Sequence, residues 1–149
     1  MKRDIVEVAI ELCHPEAILP EYARPGDSGM DICAIEDVSL APGQTVIVKT
    51  GLKLAIPAGY EIQIRPRSGL SFKTPLRIPN SPGTIDSGYR DEVGIIMQNS
   101  SVKESCSIKK GARIAQMVLQ RVPAIQWLQV DSVVAIGEDR GGGFGSSGV

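Results

Sequence analysis

The chain has 149 residues, 42% of them apolar, and 16 Lys and Arg against 17 Asp and Glu give a formal net charge of −1 at pH 7. This length fits one domain, which buries about two thirds of its unfolded surface on folding. The near-neutral charge excludes the basic field of nonspecific nucleic-acid binders, and no apolar run approaches membrane-spanning length, so neither nucleic acid nor membrane is an expected partner.

Short strands separated by turns fill the first half of the sequence. Residues 6–12 alternate apolar and polar side chains, which is the period of a half-buried strand, and residues 52–56 and 60–64 do the same. Apolar runs predict further strands at residues 32–35, 38–40 and 46–48. Residues 67–73 follow Pro66 and form the only predicted helix, whose first serine, Ser68, can cap free backbone N–H groups.

The second half continues this pattern after a proline-rich lead at residues 74–82. Strands are predicted at residues 93–97, 106–108, 112–119, 125–130 and 133–136, and Trp127 is expected to pack within one of them. About ten short strands and one short helix predict an all-β jelly roll or distorted barrel. Residues 1–136 are predicted to form this single β domain. The glycine-rich residues 137–149 are predicted to form a flexible arm that closes over a bound ligand.

Cysteine and histidine content limits the possible chemistry. Cys13, Cys33 and Cys106 are odd in number, widely spaced and outside any metal-ligand pattern, which predicts reduced thiols and a cytoplasmic location. His14 is the only histidine, so a histidine-based triad or a His-rich metal site is not expected. Acidic residues soon follow the basic start of the chain, which argues against a signal peptide.

The turn-rich stretch at residues 83–92 places an acid, an aromatic ring and a base before an apolar run that predicts a hairpin entering a strand. Asp86 can activate a water, Tyr89 can stack on a flat or sugar surface, and Arg90 can pair with a carboxylate or phosphate. Taken alone, the stretch favours the simpler interpretation of a turn in which the aspartate binds its own backbone. Arg90 is expected to be structural.

Five segments share glycine together with a group suited to a phosphate, a metal-bound water or a base: residues 25–31, 67–70, 80–92, 111–116 and 140–148. Three of them carry Arg67, Arg113 and Arg140. A nucleoside triphosphate carries about four negative charges, so a neutral protein needs local cationic groups to bind one. No GxxxxGK[ST] loop is present, so this is not a P-loop enzyme.

In order, these segments resemble the five motifs of the trimeric dUTPases: SGMDI, PRSGL, GTIDSGYRDEV, GARIAQMVL and RGGGFGSSG. The resemblance spans residues 24–148. It implies a jelly-roll subunit, a homotrimer with shared active sites, and Mg²⁺-assisted hydrolysis of dUTP to dUMP and pyrophosphate by attack of water on the α-phosphorus. That reaction supplies dUMP for thymidylate synthesis and keeps uracil out of DNA.

The resemblance also assigns roles to individual residues. Asp86 is expected to orient and deprotonate the attacking water, Tyr89 to pack under the deoxyribose, and Asp31 to contact Mg²⁺ through water. The phosphate chain is expected to meet Arg67, Ser68, Gly69 and Gln116, and uracil a hairpin formed by Asn80, Gly83, Thr84, Ile85 and backbone near Gly94. In the arm, Phe144 and Gly145 are expected to cover uracil, and Arg140, Ser146 and Ser147 the terminal phosphate.

Several readings stay open at this point. Arg113 is as readily a support for a neighbouring chain or carboxylate as a phosphate ligand, and Asp31 is as readily a residue that orders its loop. A dCTP deaminase resembles the dUTPases in fold but typically carries a Glu before the third motif, whereas residues 74–83 hold no Glu or Asp. A nucleotide-gated binding module using the same pocket is the alternative outside enzymes.

Overall fold

The computed structural model describes residues 3–143, which form eleven β-strands and one short helix. In chain order these elements are β1 Ala9–Leu12, β2 Met30–Cys33, β3 Val38–Leu40, β4 Thr45–Lys49, β5 Leu52–Ala55, β6 Tyr60–Arg65, α1 Ser68–Lys73, β7 Leu76–Arg77, β8 Gly83–Ile85, β9 Gly94–Asn99, β10 Cys106–Ile108 and β11 Arg113–Arg121. The predicted all-β jelly roll is confirmed. At six residues, α1 is the one α-helix in this part of the chain, so no helix there has the length and apolarity needed to cross a membrane.

All strand pairings are antiparallel, and they form four sheets. The largest runs β2-β11-β6-β8, a second runs β4-β9-β7, and the pairs β1-β5 and β3-β10 complete the set. β11, with nine residues, pairs with both β2 and β6 and so forms the centre of the largest sheet. Several of the residues that the sequence singles out lie on this sheet, among them Asp31, Gly83, Thr84, Ile85 and Gln116.

Alternating side chains on these strands form one core. In β9 every second residue is buried, and β6 buries Ile62 and Ile64. The fully buried Ile32, Leu52 and Ile95 come from three different sheets, so the core lies between the sheets and joins them. Burying each such side chain stabilises the fold by about 1.5–3 kcal/mol, which is why the period-2 pattern predicted these strands well.

Asn99 is the main polar side chain of the core, with no exposed surface. Its amide nitrogen donates to the carbonyl oxygens of Leu40, Ala41 and Glu104, at 3.2, 3.3 and 2.8 Å, and its amide oxygen accepts from Ser101 N–H at 3.0 Å. Because a buried polar group without partners costs about 1–3 kcal/mol, this satisfied amide fixes how the β9–β10 turn meets the end of β3.

The end of the strand region differs from the prediction. Strands were expected at residues 125–130 and 133–136, but the last strand is β11, which ends at Arg121, and residues 122–143 are exposed throughout. Trp127 is 84% exposed, so its predicted packing within this chain is wrong. A strand needs a partner for its backbone groups, and no strand of residues 3–143 pairs with this segment. The predicted domain boundary at residue 136 stays a prediction.

The sequence also missed two short strands, β7 and β8, which lie in what was read as a proline-rich lead and a turn. The stretch at residues 83–92 was predicted to form a hairpin, and this is wrong because the two strands that flank its turn do not pair with each other. β8 pairs with β6, whereas β9 pairs with β4 and β7 in another sheet. The eight residues between Ile85 and Gly94 are long enough to carry the chain from one sheet to the other.

Candidate active site

Asp86 is the first residue after β8 and begins the loop at residues 86–93, called here the aspartate loop. Its position is set by the preceding Ile85, which is buried and pairs with Ile62 of β6. Its backbone carbonyl accepts a hydrogen bond from Tyr89 N–H at 3.1 Å, and its side chain is exposed to solvent. Asp86 therefore places an exposed carboxylate directly after a short strand whose first and last residues are buried.

The rest of the aspartate loop is braced by its own side chains. Arg90 Nη1 donates to the carbonyl oxygens of Ser87 and Tyr89, at 2.6 and 2.9 Å, so its guanidinium stabilises the turn, as expected. The Tyr89 hydroxyl donates to the Glu92 carbonyl oxygen at 2.9 Å, and the ring stays 41% exposed. The loop therefore presents one aromatic ring and the exposed carboxylates of Asp86 and Asp91 on a backbone braced by its own hydrogen bonds.

A second cluster forms where β2, β11 and the start of α1 meet. Arg67 Nε donates to Asp31 Oδ1 at 2.8 Å, and Arg113 Nη1 lies 3.5 Å from Asp31 Oδ2. Arg67 Nη1 also donates to the Arg113 carbonyl oxygen at 3.3 Å. Two guanidinium groups thus share one carboxylate, which leaves a local excess of positive charge suited to an anion.

Strand register explains why this cluster forms. Gln116 pairs with Asp31 on one side and with Arg65 on the other, so three strands place these positions in one row. Gln116 Nε2 donates to the Pro66 carbonyl oxygen at 2.9 Å. An added Cβ at Gly29 would lie 2.6 Å from Gln116 Oε1 and 3.2 Å from the Met117 carbonyl oxygen, so the loop before β2 lies close against β11. Together Asp27, Ser28, Gly29, Asp31 and Gln116 help line a cavity of about 260 Å³.

The start of α1 differs from the prediction in one respect. Arg67 is the N-cap residue, without a side-chain capping bond, and Ser68 is the first helical residue, so the predicted capping role of Ser68 is wrong. The hydroxyl of a residue inside the first turn is not placed as an N-cap hydroxyl is. Ser68 and Gly69 are exposed next to Arg67, where both can meet a ligand.

Cys33 adjoins the same cluster, since it pairs with Arg113 across β2 and β11. Burial raises the pKa of the Cys33 thiol, and the Asp31 carboxylate raises it further, while Arg113 and Arg67 lower it. The net effect is upward, so the thiol stays neutral at pH 7 and adds no charge to the arginine pair.

The positions expected to bind uracil lie around β8 and the start of β9. An added Cβ at Gly83 would lie 3.2 Å from Ile64 Cβ and 3.3 Å from Asn80 Nδ2, and one at Gly94 would lie 2.5 Å from Ile47 Cγ2. Both glycines therefore allow close approach of neighbouring groups. Asn80 and Thr84 are exposed and Ile85 is buried.

The two clusters lie at opposite ends of β6. Ile85 pairs with Ile62 in antiparallel orientation, so Asp86 lies beside Glu61, near the start of β6. The arginine cluster lies beyond Arg65, at the end of β6. At about 3.3 Å per residue, the four positions from residue 61 to residue 65 alone span roughly 13 Å. Within one chain, Asp86 and Arg67 are therefore not brought together.

The predicted arm is only partly described. Arg140 is exposed, and nearby Asp139 Oδ1 accepts from Gly141 N–H at 2.8 Å. Phe144, Gly145, Ser146 and Ser147 lie outside the described residues.

Comparison with known proteins gives the same assignment as the motifs. A family model described as dUTPase matches residues 15–148. The deoxyuridine 5'-triphosphate nucleotidohydrolase of Solibacter usitatus is 48% identical over 145 residues, covering 96% of this chain and 97% of its own length. That of a Picosynechococcus species is 51% identical over 135 residues, covering 91% and 94%.

The chain belongs to the dUTPase family.

Solved dUTPase structures share the fold as well. A variant of the Staphylococcus bacteriophage 80alpha dUTPase with dUpNHpp superposes with a TM-score of 0.86 at 31% identity, covering 96% of this chain and 99% of its own. A dUTPase variant from phage phi11 of S. aureus, described with a structural Mg(II) ion, gives a TM-score of 0.80 at 27% identity, covering 85% and 98%.

Against this dUTPase background, the structure adds contacts that motif reading missed. The motifs singled out Asp31, Arg67 and Gln116 separately, and their mutual contacts follow only from strand register. Glu92 was not singled out, although its carboxylate accepts a hydrogen bond from Gly51 N–H, 41 positions away. The one sequence signal for that contact was Gly51, a single glycine between the strands predicted at residues 46–48 and 52–56.

Proposed function

We propose that the chain hydrolyses dUTP to dUMP and pyrophosphate, with Asp86 orienting and deprotonating the water that attacks the α-phosphorus. The observation that carries this proposal is the convergence of Arg67 and Arg113 on the single carboxylate of Asp31 in a chain of the dUTPase family. Because two guanidinium groups share one carboxylate, one net positive charge remains that can attract the negative charge of a triphosphate.

Asp86 supplies the proton acceptor in this reaction. Its exposed carboxylate takes a proton from water while the new bond forms to the α-phosphorus, and pyrophosphate leaves with the electron pair of the broken P–O bond. General-base assistance contributes about 10²- to 10⁴-fold. The rest of the rate enhancement comes from holding the phosphates and stabilising the charge that develops on pyrophosphate.

The phosphate chain is held by Arg67, Ser68, Gly69 and Gln116. Arg67 is supported by the geometry already described: its Nε is engaged by Asp31, so the outer edge of the guanidinium has a fixed direction. Fixing a planar guanidinium before binding reduces the conformational entropy lost when it meets a phosphate.

Base and sugar are recognised at the other end of the sheet. Asn80, Gly83, Thr84, Ile85 and backbone near Gly94 contact uracil, and Tyr89 packs under the deoxyribose. The close packing at Gly83 and Gly94 supports this, because neighbouring side chains occupy the space of a Cβ at both positions and so hold these backbone groups in place.

Mg²⁺ fits the side chains of the arginine cluster through Asp31. Among residues 3–143, no three His, Cys, Asp or Glu side chains are grouped as a metal site, and Mg²⁺ commonly keeps several waters and is held by one or two carboxylates plus substrate phosphates. Asp31 Oδ2 has only the long 3.5 Å contact with Arg113, which leaves it able to accept from a metal-bound water. Bound there, Mg²⁺ would neutralise charge on the phosphates.

A homotrimer with shared sites is part of this proposal, and the separation of the two clusters within one chain supports sharing of sites between chains. A base must lie within hydrogen-bond reach of the attacking water, yet Asp86 and Arg67 stand at opposite ends of β6 in one chain. The arginine cluster of one chain therefore serves the aspartate loop of another. The arm completes the site, with Phe144 and Gly145 over uracil and Arg140, Ser146 and Ser147 at the terminal phosphate.

The exposed segment supports the same assembly. Seven large apolar residues between positions 125 and 136 are 40% to 84% exposed: Ile125, Trp127, Leu128, Val130, Val133, Val134 and Ile136. Large apolar side chains exposed at this density along one segment are typical of an interaction site. A neighbouring copy of the chain is the partner that would also bring the two clusters together.

Parallel assays of dUTP, dTTP, dCTP and UTP with Mg²⁺ test reaction, base and sugar together. We expect pyrophosphate from dUTP, and little from the other three nucleotides. Ammonia release from dCTP would instead indicate a deaminase, and binding of dUTP without turnover would indicate a binding module.

A further inference from the structure

The Glu92 side chain ties the aspartate loop to a distant turn. Its Oε1 accepts a hydrogen bond from Gly51 N–H at 2.9 Å, across 41 positions of sequence, and the side chain is half-buried. Next to it, Val93 N–H donates to the Leu52 carbonyl oxygen at 2.8 Å. Two consecutive residues of the loop are therefore bound to Gly51 of the β4–β5 turn and to Leu52, the first residue of β5.

The turn that receives Glu92 is itself firmly held. Gly51 has φ +68°, and an added Cβ would lie 2.7 Å from Ala17 Cβ and 2.9 Å from His14 Cβ. Its carbonyl oxygen accepts from Cys13 N–H at 2.8 Å. Only glycine suits this backbone and this space, so the N–H that binds Glu92 has a fixed position, determined by the neighbouring segment at residues 13–17.

The backbone of Glu92 in turn holds Tyr89. The Glu92 carbonyl oxygen accepts from the Tyr89 hydroxyl at 2.9 Å, while Tyr89 N–H is bound to the Asp86 carbonyl oxygen at 3.1 Å. Tyr89 is thus held at its backbone N–H and at its hydroxyl, although the residue is 41% exposed. A continuous set of contacts runs from the Gly51 turn through Glu92 to the tip of the Tyr89 side chain.

We propose that Glu92 is a positioning residue that sets discrimination between 2′-deoxyribose and ribose by holding Tyr89 in place. This inference rests on the proposed function, in which the Tyr89 ring packs under the sugar. A ring can exclude a 2′-hydroxyl only if it cannot move by the size of that group. Supporting contacts that fix a side chain to within about 0.5 Å are what such selectivity requires.

The test compares the ratio of kcat/KM for dUTP to that for UTP in Glu92→Ala, Glu92→Gln and the unchanged chain. In Glu92→Ala the Gly51 N–H loses its acceptor, and we expect the ratio to fall by about tenfold, largely through faster UTP hydrolysis. Glu92→Gln keeps an acceptor oxygen, so its ratio should stay within about twofold of the unchanged chain. Asp91→Ala is the matched control, since Asp91 is exposed and adjacent, and its ratio should not change.

A second variant keeps the inference testable if Glu92→Ala does not fold. Tyr89→Phe retains the ring and loses only the hydroxyl that binds Glu92, so the ratio should again fall. An unchanged ratio in both Glu92→Ala and Tyr89→Phe would overturn the positioning role, as would a loss in Glu92→Gln equal to that in Glu92→Ala. A purely structural role would lower the unfolding temperature and both kcat/KM values without changing their ratio. Absence of dUTP hydrolysis in the unchanged chain would overturn the proposed function itself.

Discussion

The aspartate loop and the segment at residues 122–143 both lack regular structure, yet they are held in opposite ways. The loop is bound to the Gly51 turn by side-chain and backbone hydrogen bonds and leads into the buried Val93. The segment leaves the sheet at Arg121, makes one hydrogen bond back to it, from Val122 N–H to the Gly59 carbonyl oxygen, and exposes its apolar side chains. One region is completed within the chain, and the other presents surface suited to a second chain.

The sharpest test of the loop is Asp86→Asn. The amide keeps the shape of the carboxylate but cannot accept the proton of the attacking water, so kcat should fall by at least about 10²-fold while dUTP still binds. Pyrophosphate release gives kcat, and calorimetric titration with dUpNHpp gives the affinity. Asp91→Asn, a neighbouring exposed carboxylate, is the control. An unchanged kcat in Asp86→Asn would remove this residue from the mechanism.

The corresponding test of the segment is Trp127→Ser. If Trp127 is buried against another copy, its loss weakens each interface between chains by about 3 kcal/mol. The variant should then dissociate already at protein concentrations at which the unchanged chain stays assembled, and it should lose activity in parallel. Sedimentation equilibrium measures the mass. Val102→Ser, which changes a residue of 85% exposure outside the segment, should leave the mass unchanged. Equal masses for Trp127→Ser and the unchanged chain at all concentrations would contradict the role of the segment.

A smaller effect is expected where the loop rejoins the core. Thr50 is 1% exposed, and its hydroxyl donates to the Val93 carbonyl oxygen at 2.6 Å. Thr50→Val keeps the shape but removes this donor, which should lower the free energy of unfolding by about 1–3 kcal/mol. Urea unfolding at fixed protein concentration measures the change. Thr45→Val, at an exposed position of β4, should stay within about 0.5 kcal/mol; a similar loss in both variants would show that the buried bond adds nothing.

Sequence patterns predicted the barrel strands because burial on one face imposes a period of two. Alternation at residues 60–64 corresponds to β6, with Ile62 and Ile64 buried, and the helix after Pro66 forms within one residue of its predicted start. The same reasoning was wrong at residues 125–130, where Trp127 alternates but is exposed. Alternation of apolar and polar residues predicts that one face of a strand is buried, but it does not identify the element or the chain that packs against that face.

Short elements escaped prediction for a different reason. β8 has only three residues, Gly83–Ile85, too few to show a period, and its pairing with β6 depends on residues about twenty positions earlier. The hairpin expected from the turn formers at residues 86–88 was wrong because a local turn does not determine which sheet the following strand enters.

The sequence by itself determined which chemical groups this protein has: an aspartate after Ile85 in a turn-rich stretch, arginines near glycines, and the alternation that makes a β domain. The tertiary structure alone decided which of these groups meet, because strand register joins residues that are distant along the chain. Register placed Asp31, Arg67 and Arg113 together, bound Glu92 to Gly51, and set Asp86 at the far end of β6. Local patterns carry no information on such pairings, since each depends on the contacts of a whole folded sheet.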